Sequence, residues 1–194
     1  MEQLSFYLAQ KLTARKNTDK NLTDVYRYGL EILLSSTLTS LSIIILSLFL
    51  NSFGYALLYF LITIPLRMAA GGYHANTHKK CFLLSNCTYI ILSLVHSLLL
   101  HCKLPSYIWL FLLYLSTAYI LNKAPVPNIH QPLSDQLRKQ NKKKTTFFLA
   151  FYCILFTFLL IAFPTLELTC FSILSILSVA ILIIPTQKKG GKPQ

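Results

Sequence analysis

Between Arg67 and Cys81 the chain reads RMAAGGYHANTHKKC, a stretch that holds two glycines, two histidines, two lysines and a cysteine. Cysteine attacks as its thiolate, and neighbouring cations or a helix N-terminus favour that form. Lys79 and Lys80 directly precede Cys81. Asn76 or Thr77 can cap a helix beginning there, which would leave Cys81 in its first turn, near the positive end of the dipole. The thiol also needs a base, and imidazole is its usual partner. His78 is three residues away and meets Cys81 on a regular helix. On one continuous helix His74 would lie about 10 Å from Cys81 along the axis. It reaches the thiol only if the chain folds back, and Gly71-Gly72 permits such a turn, because glycine accepts positive φ. Spacing leaves both histidines in play.

Metal chemistry is the competing reading. His74 and His78 have the i, i+4 spacing of a helical zinc pair, with Cys81 as a third ligand. The adjacent lysines repel a divalent cation, and the stretch has no acidic residue, so no metal and no other cofactor is expected. Each feature also has a plainer explanation. A Gly-Gly pair is most often a turn, an interfacial histidine marks the headgroup zone, and paired lysines signal topology.

The elements that must position this stretch are hydrophobic. Of 194 residues, 54% are hydrophobic and 12% charged, with a mean hydropathy of +0.55, whereas soluble domains carry about 25% charged residues. Apolar runs long enough to span a bilayer occur at 30–50, 53–70, 81–101, 104–121, 147–164 and 166–185. The expected fold is all-α: one membrane-embedded domain over 1–194, with about six transmembrane helices. The first 29 residues hold five basic residues but no signal-peptide core with a cleavage site, so a retained N-terminus is expected. Leu4, Tyr7, Leu8 and Leu12 share a helical face there, which predicts an amphipathic helix on the inner leaflet. The long connection 122–146 is predicted as a basic cytoplasmic loop.

Basic residues set the orientation, because cytoplasmic flanks are enriched in Lys and Arg. With the N-terminus inside, the inner segments hold Lys11, Arg15, Lys16, Lys20 and Arg27, then Arg67, Lys79 and Lys80. They continue with Lys123, Arg138, Lys139, Lys142, Lys143 and Lys144, and end with Lys188, Lys189 and Lys192. Lys103 alone falls outside. The net charge of +12 is thus topogenic, and nucleic acid is not needed to explain it. Cys87, Cys153 and Cys170 fall within spans, where cysteine acts as a small apolar residue, and Cys102 lies at the outer edge. Cys81 is singled out at the inner edge, where thiols stay reduced. The transporter alternative finds few ionisable groups to line a path, His96 being the main one.

The pattern Arg67, Gly72, His74, Cys81 resembles the signature of the accessory gene regulator B family. These are bacterial membrane cysteine endopeptidases that process the precursor of a cyclic autoinducing peptide. The likeness takes in the basic N-terminus, Tyr28-Gly29-Leu30-Glu31, the six-span layout and Ala124-Pro125 with Pro132. It departs at Val126-Pro127-Asn128. The resemblance implies His74 as base, Cys81 as nucleophile, and Arg67 and Gly72 in support. It also implies a precursor with an amphipathic leader and an acidic C-terminal segment, for which Lys79, Lys80, Lys142, Lys143 and Lys144 are the available cations. The product would be a thiolactone or lactone, and the partners would be the precursor, membrane lipid and a second copy of the chain. Asn76, Glu31 and Asp135 are the candidates for a third catalytic member, and Arg67 is one candidate partner for Glu31.

Overall fold

The computed structural model describes residues 5–11, 20–72, 77–102, 104–126, 134–163 and 166–187. Its regular elements among these residues are all helical: α1 (5–11), α2 (Lys20–Phe49), α3 (Phe53–Ala70), α4 (His78–His101), α5 (Ser106–Lys123), α6 (Asp135–Ala162) and α7 (Glu167–Gln187). The chain is an all-α, multi-pass membrane protein. Among the described residues, five helices are long and apolar enough to cross a bilayer: α2 from Tyr26, α3, α4 from Lys79, α6, and α7 to Ile184. The segment expected to span at 104–121 is the helix α5. Tyr107, Trp109, Tyr114 and Tyr119 interrupt its aliphatic residues and Asn122-Lys123 end it, so its 18 residues contain no uninterrupted apolar run of spanning length.

Local chemistry sets the helix ends. Asn51 takes φ 50°, while Ser52 N–H donates to Ser47 O at 2.8 Å and Asn51 N–H to Leu48 O at 3.2 Å. This Schellman closure uses asparagine in the left-handed region. Helix α6 begins at Asp135 and not near 147, so the connection read as a loop to 146 is helical over its basic half. Ser134 caps it by accepting Leu137 N–H at 3.3 Å, Asp135 suits the dipole, and Gln, Leu, Arg and Lys are strong helix formers. Hydropathy alone does not register such a polar opening.

Helix α7 occupies the centre and packs on α3, α4, α5 and α6. Phe171, Ile173, Ile176, Val179 and Ile183 are fully buried, and Ser172, Ser175 and Ser178 return their hydroxyls to carbonyls of their own helix. Such small residues let neighbouring backbones approach closely. Polar ties join other helices, with Ser42 donating to Asn86 between α2 and α4 at 2.9 Å. At the end of the bundle away from Cys81, Tyr55 donates to the Glu167 carboxylate and the buried His96 ring meets Glu167 O, both at 3.1 Å. His96 therefore serves as a tie between α4 and α7.

Pro65 lies inside α3 and has no N–H for Leu61 O, its i−4 carbonyl. Tyr152 of α6 donates its hydroxyl to that oxygen at 2.9 Å. Tyr152→Phe is therefore expected to cost about 1–2 kcal/mol in unfolding of the detergent-solubilised chain. In a Pro65→Ala background the helix supplies its own donor, and the same change should cost almost nothing. Equal costs in the two backgrounds would show that the tyrosine does not serve the proline gap.

Candidate active site

Residues of α3, of the segment that follows α5, and of α6 and α7 meet at one end of the bundle, the end at which α4 begins. Helix α3 closes with Arg67 in its last turn and Gly71 as its C-cap, whose N–H donates to Arg67 O at 2.9 Å. Gly71 has φ 77° and ψ −155°, a region open in practice only to glycine. Gly72 follows at φ 139°. Both glycines meet other backbone. A Cβ on Gly71 would stand 2.5 Å from Val126 O, and one on Gly72 would stand 3.6 Å from Leu182 O of α7.

The close neighbour of Gly71 is the strap 124–126 that leaves α5. Val126 N–H donates to Ala70 O at 2.9 Å, and Ala124 and Pro125 are buried. The strap is held from its other side as well. Lys142 of α6 donates its ammonium to Ala124 O at 3.0 Å and to Leu121 O. These are carbonyls that the end of α5 leaves without helical partners.

Across the turn, Thr77 caps α4 and accepts Lys80 N–H on its hydroxyl at 3.3 Å. Of the two capping residues expected from sequence, Thr77 performs the role. Cys81 follows in the opening turn, half-buried, with its N–H on Thr77 O at 3.0 Å. Lys79 and Lys80 are exposed beside it. His74 and Asn76 lie outside the described residues, as does the side chain of His78. The structure fixes both ends of the stretch that carries His74: Gly72 on one side and Thr77 on the other.

Helix α1 packs on the start of α2 at this end. Ser5 and Ala9 are buried on one face, and Ser5 donates to Glu31 Oε1 at 3.0 Å. Arg27 pairs with the same oxygen at 3.1 Å, so Glu31 has Arg27 and Ser5 as partners. Tyr7 is exposed, and Leu4 and Leu12 of the expected amphipathic face lie outside the described residues. Asp135 opens α6 and is exposed. Cations predominate here among the described residues: Lys11, Lys20, Arg27, Arg67, Lys79, Lys80, Lys123, Arg138, Lys139, Lys142, Lys143 and Lys144 against Asp24, Glu31 and Asp135. This end attracts anions over a distance set by ionic strength.

Sequence reasoning missed the strap, its lysine anchor and the approach of Leu182. The Gly-Gly pair was the available signal, because two successive glycines announce backbone contact as well as a turn.

Comparison with known proteins agrees over most of the chain. The family model of accessory gene regulator B matches residues 4–184. An AgrB-like protein 2 from Clostridium perfringens strain 13 is 24% identical over 148 residues, covering 74% of this chain and 69% of that relative. An AgrB-like protein 1 from the same strain is 31% identical over 137 residues, 70% of each. No solved structure matches the chain.

Proposed function

Since the chain belongs to the accessory gene regulator B family, with an AgrB-like role in quorum sensing, we propose that it is a cysteine endopeptidase that cleaves an autoinducing-peptide precursor. The observation that carries this reading is the placement of Cys81 in the opening turn of α4, directly after the short stretch that bears His74. That stretch is fixed at both ends, at Gly71-Gly72 and at Thr77.

In the proposed reaction His74 takes the thiol proton, and the Cys81 sulfur attacks the carbonyl carbon of a precursor peptide bond. The tetrahedral oxyanion collects hydrogen bonds from the first two amides of α4, those of His78 and Lys79, which precede any intrahelical acceptor. On collapse the C–N bond breaks, and the imidazolium gives its proton to the leaving amine. A thioester to Cys81 remains. Attack on it by a cysteine or serine side chain of the bound peptide closes a thiolactone or lactone and returns the thiol. Thioester exchange retains the bond energy that hydrolysis would lose, and a partly dry site at the bilayer edge disfavours water.

Arg67, half-buried beside the turn, holds a substrate carboxylate or the turn itself. Lys79, Lys80, Lys143 and Lys144 are exposed and suit an acidic segment of the precursor. The gathering of cations at the Cys81 end supports a cytoplasmic active site. The precursor's leader would lie on the same leaflet, which confines the substrate to the plane of the site and raises its effective concentration. A second copy of the chain is a further proposed partner.

Membranes carrying the chain and a tagged precursor, quenched in acid, should yield a hydroxylamine-labile adduct that Cys81→Ala lacks. A thiol alkylator should stop cleavage and a chelator should leave it unchanged. Cleavage that survives Cys81→Ala would overturn the peptidase reading, and cleavage lost to the chelator would favour a metal held by His74, His78 and Cys81.

A further inference from the structure

The basic run of α6 contains two kinds of lysine. Lys143 and Lys144 are exposed. Lys142 is half-buried, and its ammonium is committed to Leu121 O and Ala124 O at the end of α5. We infer that Lys142 is a positioning residue for the Cys81–His74 chemistry and not a contact for the precursor. This inference rests on the peptidase reading given above.

A short chain of backbone contacts links Lys142 to the glycine turn. Lys142 fixes the carbonyl of Ala124. Two residues later Val126 N–H bonds Ala70 O at 2.9 Å, the final carbonyl of α3. Val126 O lies so close to Gly71 that a single added methyl there would stand 2.5 Å from it. The strap and the glycine turn are thus in contact and move together. His74 lies two residues beyond Gly72, so the strap sets where the stretch bearing the base leaves α3. The other flank of that turn faces Leu182 O of α7, which leaves the strap as the side under lysine control.

The pairing also accounts for the residue type. A helix C-terminus presents unmatched carbonyls and a partial negative charge, which a cation satisfies. A neutral side chain of the same length has no donors for these two oxygens. Arginine has several N–H donors and keeps its charge, so it is the conservative replacement.

Displacing reacting groups by about 1 Å can cost ~10²-fold in rate. Lys142→Met is therefore expected to lower kcat for precursor cleavage roughly 10–100-fold, with KM little changed and the defect independent of salt. Lys142→Arg should restore most of the rate. Val126→Pro removes the N–H on Ala70 O without touching any charge, and it should reproduce the kcat loss if Lys142→Met fails to accumulate in membranes. Lys143→Gln with Lys144→Gln should instead raise KM, most strongly at low ionic strength.

A Lys142→Met defect confined to KM and relieved by salt would make Lys142 a substrate contact and overturn the inference. Full activity in Lys142→Met or in Val126→Pro would do the same. Cys81→Ala, assayed alongside, separates the two levels: cleavage persisting there refutes the peptidase reading, whereas loss there with an unaffected Lys142→Met refutes only the role of the lysine.

Discussion

Cys81→Ala and His74→Ala are each expected to lower precursor cleavage by about 10⁴-fold or more, and the double variant to be little worse than either. A thiol without its base and a base without its thiol leave the same residual site, so their losses do not add. His78→Ala is the informative control. His78 opens α4, and Cys81 follows three residues later on the same helix, so spacing alone allows it to serve as the base. A turn of the chain after Gly71-Gly72 would give His74 an independent approach. Substantial cleavage in His78→Ala with none in His74→Ala is the expected pattern, measured by release of a tagged fragment from membranes. The reverse pattern would transfer the base to His78 and make the glycine turn a connector only.

The second large effect belongs to Gly71. Its backbone, at φ 77° and ψ −155°, costs a residue with a Cβ about 1–3 kcal/mol in strain alone. Sterics then add to that, because the new carbon would lie 2.5 Å from Val126 O, a backbone atom that cannot rotate away. Gly71→Ala should force the strap off the end of α3 and remove most cleavage activity, together with a fall in thermal stability. Gly72→Ala is strained by its φ of 139° but has ordinary space, 3.6 Å to Leu182 O. It should be the milder change. Sequence resemblance singles out Gly72, so a ranking with Gly71 the more sensitive tests the structural argument separately. Wild-type activity in Gly71→Ala would show that the strap yields without consequence.

How much of this was legible in the sequence follows from what each signal measures. Length and hydropathy located the ends of most apolar helices to within a few residues, because the bilayer imposes both, but α2 begins at Lys20, ten residues before the expected span. They did not find where α6 begins, since its opening turns are polar and are specified by the Ser134 cap and straight-chain residues. They also did not find the arrangement of the bundle. Helices that are apolar all round carry no periodicity to say which face meets protein, so the central place of α7 was invisible. Within the site, the cap of α4 was readable as Asn76 or Thr77, because both side chains accept from helix amides, and the structure gives the role to Thr77. Lys142 was not readable, because a lysine among lysines looks like every other until its acceptors are known.

The central helix also imposes an order on biogenesis. Helix α7 follows α2–α6 in the chain, so a ribosome delivers it to the membrane after the helices that surround it. Until then α3, α4, α5 and α6 have inserted without the surface they share, and the turn at Gly72 lacks Leu182 on its flank. Translation completes residues 71–81 well before it completes α7, on which the start of that stretch packs. A nascent chain therefore passes through a stage in which Cys81 and the glycine turn are in the bilayer without their α7 neighbour, and on the peptidase reading proposed above cleavage competence would arrive only with the entry of α7.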